Sequence, residues 1–154
     1  MRLRPRVRVG LALLARGSRV LPTLRRRTRC NDRPRMAASV LVIDDDPTFR
    51  GLARRMLAAG GLVVVGEADS VATAMAAALE LRPNAMLVDV GLPDGNGIVL
   101  AGELSALPWR PRVVLTSTDT DAADEDDVRR SGAAAFVAKD ELPNAPLFQL
   151  LATG

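Results

Sequence analysis

From residue 39 onward, short runs of β-branched and apolar residues alternate with longer stretches rich in alanine and leucine. The short runs predict strands near 39–44, 62–67, 85–89, 112–116 and 134–138. The segments between and after them predict helices near 47–59, 70–81, 97–106, 121–131 and 143–151. Strands separated by helices pair in parallel, because a crossover brings each new strand back in the same direction. Several strands, such as Val63-Val64-Val65 and Val113-Val114-Leu115, show no polar alternation. That pattern belongs to strands covered by helices on both faces. The expected fold is α/β: a (βα)5 unit with a doubly wound, parallel five-stranded sheet.

The composition changes at Met36, where Met36-Ala37-Ala38-Ser39 leads straight into Val40-Leu41-Val42-Ile43 and reads like a start of translation. Residues 1–35 hold twelve arginines and a single acid, Asp32, and so carry +11. The remaining nine basic and 17 acidic residues leave 36–154 at −8. A high isoelectric point ordinarily points to nucleic acid, but here it reports the head alone. The head reads as a wrongly assigned start, a disordered basic arm or a targeting peptide, the last disfavoured by the short apolar core Gly10–Ala15. Two units are therefore expected: an Arg-rich head, 1–35, outside the fold, and one domain, 36–154, of ordinary single-domain size.

The chain has no histidine and no tyrosine, and its one cysteine, Cys30, lies in the head. Ser-His-Asp triads, histidine metal sites, Cys-His nucleophiles, zinc clusters and structural disulfides all lack their parts. What remains is carboxylates, hydroxyls and one lysine, Lys139. No apolar run approaches the ~18 residues of a membrane span, so a soluble, cytoplasmic protein with no membrane partner is expected.

Ligands of an open doubly wound sheet bind beyond the carboxyl ends of its strands. The first strand runs into Asp44-Asp45-Asp46-Pro47, the third ends at Asp89, the fourth at Thr116 and the fifth at Lys139. Asp46 before Pro47 is sufficiently explained as a helix N-cap. Thr116 alone reads equally well as a cap, and Lys139 alone as a solvated cation. Together they bring carboxylates, a hydroxyl and an ammonium to one rim. Clustered carboxylates repel and resist ionisation unless a cation joins them. Mg²⁺ suits oxygen ligands that leave room for water and phosphate.

These segments resemble the response-regulator receivers of two-component signalling. The resemblance rests on Val40-Leu41-Val42-Ile43-Asp44-Asp45-Asp46-Pro47, Leu87-Val88-Asp89-Val90-Gly91-Leu92-Pro93-Asp94-Gly95-Asn96-Gly97, Val113-Val114-Leu115-Thr116-Ser117 and Gly132-Ala133-Ala134-Ala135-Phe136-Val137-Ala138-Lys139. It implies a flavodoxin-like sheet of strand order 2-1-3-4-5. It further implies that Asp89 accepts a phosphoryl group from a sensor histidine kinase or a phosphotransfer protein. Asp45, Asp89 and the Gly91 carbonyl would ligate Mg²⁺ directly, and Asp44 would act through water. Thr116 and Lys139 would hold the phosphoryl oxygens. Thr116 and Phe136 would form the switch, although Phe136 reads equally as core. Gly91 would place no side chain over the phosphoryl group, and Leu92-Pro93-Asp94-Gly95 reads as a structural turn. The acidic run Asp119–Asp127 reads as a solvated helix start or a partner-selecting patch.

Asp140-Glu141-Leu142-Pro143 after the lysine looks like receivers joined to a helix-turn-helix domain. Because the sequence stops at Gly154, a stand-alone receiver is expected, with no DNA-binding domain and an unknown downstream protein as its output. On this reading the protein is no enzyme beyond its own phosphorylation and dephosphorylation. Rival readings are a non-phosphorylated interaction module, DNA binding by the head, and an aspartate-nucleophile phosphatase of the haloacid dehalogenase type. Asp44-Asp45-Asp46-Pro47-Thr48 fits the first motif of that last family, but the acidic pair it needs on a later strand is missing.

Overall fold

The computed structural model describes residues 8–9 and 37–152. Five parallel strands, β1 Ser39–Ile43, β2 Val63–Ala68, β3 Ala85–Asp89, β4 Arg112–Ser117 and β5 Ala135–Ala138, pair in the order 2-1-3-4-5. Helices α1 Pro47–Ala59, α2 Val71–Leu81, α3 Gly97–Ser105, α4 Glu125–Ser131 and α5 Leu147–Ala152 follow them in turn. The sheet also carries a sixth strand, Arg8–Val9, antiparallel to β5 in the register Arg8 to Phe136. The expected five-stranded sheet is thus extended at its β5 edge by two residues of the head. The rest of residues 1–35 lies outside the described residues.

The unbroken apolar strands are explained by the two cores. Along β1, Leu41 and Ile43 face a core with α2, α3 and α4, while Val40 and Val42 face one with α1 and α5. Along β3, Met86 and Val88 join the first core and Ala85 and Leu87 the second. Residues of the inner strands are therefore buried whichever way they point. On the edge strand β2, Val63 and Val65 remain 49% and 38% exposed, so the cover on both faces expected for Val63-Val64-Val65 fails there, because no strand or helix among the described residues closes that edge.

Helix 4 differs from its expected span. It begins at Glu125 rather than near 121, because the Asp124 carboxylate accepts from Asp127 N and forms a capping box with it. Upstream, Asp119 accepts from Asp121 N, which holds that stretch in a turn. The last helix begins at Leu147 rather than near 143, and Leu142–Asn144 forms a separate 3₁₀ turn. Pro146 has no N–H to continue a helix begun earlier and forces its predecessor out of helical backbone.

Candidate phosphorylation site

The site grows from the carboxyl ends of β1, β3, β4 and β5. The three aspartates after β1 divide their work. Asp44 is fully buried, and its Oδ1 accepts from Asp46 N at 2.8 Å. Asp45 is exposed toward the rim. Asp46 caps α1 by accepting from Thr48 N at 2.9 Å, the role its place before Pro47 predicted. Carboxylate oxygens of Asp44, Asp45 and Asp89 all lie within 4.8 Å of one another.

Lys139 reaches over this cluster. Its Nζ lies 2.5 Å from Asp44 Oδ2 and 3.6 Å from Asp89 Oδ2. The buried Asp44 Oδ2 is thus held by the Lys139 ammonium. Thr116 Oγ1, by contrast, is buried without a hydrogen-bond partner. Thr116 stands directly beside Asp89 in the sheet, and its carbonyl accepts from Val90 N at 2.9 Å.

Burial pushes the Asp89 acid up to about 6, and the Asp44 charge adds to the effect. The Lys139 ammonium and the Gly91 N–H oppose it, and Asp45 raises it a little further. A single ammonium does not balance three carboxylates. The cluster of hard oxygens, two of them in carboxylates held largely from water, suits a divalent cation such as Mg²⁺.

Of the residues predicted for the site, Asp44, Asp45, Asp89, Thr116 and Lys139 meet at one rim. Gly91 adjoins them in a small hairpin, Gly91–Leu92 against Gly95–Asn96, and a Cβ there would meet nothing within 4 Å. Phe136 is 5% exposed in the core on the α2, α3 and α4 side, packed one sheet face away from the core of α1 and α5.

Three contributors escaped the sequence. Phe49 presents its ring 4.3 Å from Lys139 Nζ. Asp94 accepts from Val71 N at 2.7 Å and Ala72 N at 3.1 Å, tying the β3–α3 turn to the start of α2. Gly97 lies so near β3 that a Cβ would fall 2.0 Å from the Asp89 carbonyl oxygen. Only the Asp-Gly-Asn-Gly spacing hinted at the last, and no pattern announced the other two.

The profile of the response regulator receiver domain matches residues 40–149. The chain belongs to the response-regulator receiver family. Its relatives include the DNA-binding transcriptional activator DevR/DosR of Mycobacterium tuberculosis, 43% identical over 106 residues covering 68% of this chain and 48% of the relative. A protein-glutamate methylesterase/protein-glutamine glutaminase of Hahella chejuensis is 30% identical over 112 residues, covering 71% of this chain and 32% of the relative. Among solved structures, the signal receiver domain of the response regulator NarL from Mycobacterium tuberculosis superposes with a TM-score of 0.60. It is 31% identical, and the match covers 72% of this chain and 94% of that one.

The receiver spans about half the length of DevR/DosR and a third of the methylesterase. Relatives thus join this module to different activities, and those activities are properties of the longer proteins. As a receiver of two-component signalling, the domain belongs to a family regulated by phosphorylation. No helix among the described residues is long and apolar enough to cross a membrane.

Proposed function

We propose that Asp89 is the phosphoacceptor of this receiver. An Asp89 oxygen attacks the phosphorus of a phosphohistidine on a sensor kinase or phosphotransfer protein. The new P–O bond forms as the P–N bond breaks, and the imidazole leaves. The observation that carries this reading is the meeting of Asp44, Asp45, Asp89, Thr116 and Lys139 at one rim, with the buried Thr116 hydroxyl left without a hydrogen-bond partner.

Asp45, Asp89 and the Gly91 carbonyl would hold Mg²⁺ directly, and Asp44 through water. When bound, the cation would neutralise charge on the carboxylates and on the transferred group. Lys139 balances the carboxylate charge from the other side and is placed to follow the phosphoryl oxygens. The orphan Thr116 hydroxyl is ready to donate to one of them. Phosphoryl transfer asks chiefly for this positioning and charge cancellation. Thr116 then serves as the switch element, because a donor without a partner gains one on phosphorylation. The signal passes onward by contact with a downstream protein, in the cytoplasm.

The phosphatase alternative needs Asp44 as nucleophile. Asp44 has no exposed surface and is held by Asp46 N and Lys139, whereas Asp89 keeps 6% of its surface open. Incubation with Mg²⁺ and a small phosphoryl donor, followed by intact mass, tests both. An adduct of about 80 Da is expected in wild type and absent from Asp89→Asn. An adduct that persists in Asp89→Asn and disappears in Asp44→Asn would reverse the assignment.

A further inference from the structure

Phe49 occupies the third position of α1, on the stripe Phe49, Ala53 and Leu57 that packs against the sheet. Packing alone asks only for an apolar side chain of suitable volume. Yet the ring meets a cation: Lys139 Nζ lies 4.3 Å from its centroid, while the same ammonium contacts Asp44 at 2.5 Å and Asp89 at 3.6 Å. Both partners are sheltered, the ring at 8% exposure and the lysine side chain at 14%. A cation over an aromatic face gains most when water is excluded.

We infer that Phe49 is a positioning residue for Lys139, a neutral platform on which the ammonium turns from Asp44 toward the phosphoryl group on Asp89. This inference rests on Asp89 being the phosphoacceptor. The chemistry asks for a platform of this kind. Lys139 balances the carboxylates before transfer and the phosphoryl oxygens after it, so its strongest partner changes during the reaction. A carboxylate beneath the lysine would hold it back. A plain aliphatic side chain would give it no electrostatic seat, leaving its flexible stem to be ordered at each turnover. The ring face attracts the cation without competing with either anion. Its own position is fixed from below: Asp46 caps the helix start, and Arg50, the next residue, donates to the Asp44 carbonyl at 2.7 Å.

Lys139 is the only lysine in the chain, so selective lysine labelling of the full protein gives its NMR signals without ambiguity. In wild type those signals should show an upfield ring-current shift. Phe49→Leu should abolish the shift and slow formation of the adduct from a small phosphoryl donor about threefold to tenfold. Phe49→Trp should keep both near wild type. In a Lys139→Ala background, Phe49→Leu should add no further slowing. A Lys139 signal unchanged by Phe49→Leu would overturn the contact. A lost shift with an unchanged rate would reduce Phe49 to core packing, as would equal slowing in both lysine backgrounds. If wild type forms no adduct while the shift is present, the acceptor reading fails and the positioning role falls with it.

Discussion

Burial and the Asp44 charge hold the Asp89 acid at about 6, against 3.8 for a free aspartate. The folded protein therefore binds a proton at Asp89 more readily than the unfolded chain does. The cost of ionising it is absent below about pH 4, grows as the pH rises to about 6, and is complete above that. Asp89→Asn should accordingly stabilise the protein at pH 7 in the presence of a chelator. The expected gain is about 1–2 kcal/mol after discounting for solvent at the rim. Thermal melts at pH 7 and pH 4 check this, and the advantage should vanish at the lower pH. Gly91 stands beside this group in open space. Gly91→Arg should change the dephosphorylation rate of the adduct several-fold by crowding the approach of water, and equal decay in the two proteins would refute that. The charged residues of the site were legible in the sequence because each ends a strand. Phe49 was not, since a phenylalanine on a helical stripe looks the same whether it faces leucine or lysine.

Among the elements, α3 is pinned by its first residue. A Cβ at Gly97 would meet the Asp89 carbonyl at 2.0 Å, and that atom is backbone, which cannot turn aside. Gly97→Ala should cost roughly 2–4 kcal/mol in denaturant melts and should also slow phosphorylation, because Asp89 must shift. Helix 2 depends on a residue outside itself: Asp94 accepts from two N–H groups of its first turn, and those hydrogen bonds hold its acid below the usual range. Asp94→Ala should lower the melting temperature by a few degrees at neutral pH. The difference should shrink as acid protonates Asp94, because the stabilisation needs the carboxylate. The five sheet strands were readable almost to the residue, since β-branched runs between helices leave little choice. Helix ends were less so. The start of α4 was obscured because six acids in nine residues offer several caps, and only the packed structure selects Asp124.

At the scale of the whole molecule, the carboxylate oxygens of Asp44, Asp45 and Asp89 within 4.8 Å of one another lead to the expectation that divalent cations stabilise the fold. Mg²⁺ at a hundred times its dissociation constant should stabilise wild type by about 2.7 kcal/mol through mass action, read as a rise in melting temperature that a chelator reverses. The exposed Asp45 can be changed without disturbing the core, and Asp45→Asn should lose most of that rise. The opposite charges of head and body were plain in the sequence, yet the pairing of Arg8–Val9 with β5 was not, because a two-residue strand leaves no periodic pattern. The intact mass of the protein from its native host would establish whether residues 1–35 accompany the receiver.

The two glycines flanking the β3–α3 turn have opposite prospects under mutation. Position 91 opens onto empty space, so many side chains should be accepted there without loss of the fold, and a series of substitutions at this one position should spread the dephosphorylation rates of the adduct. Position 97 abuts the Asp89 backbone, so any side chain there should cost stability whatever it does to signalling. Six residues apart, one glycine leaves room for a side chain and the other holds helix α3 against the backbone of Asp89.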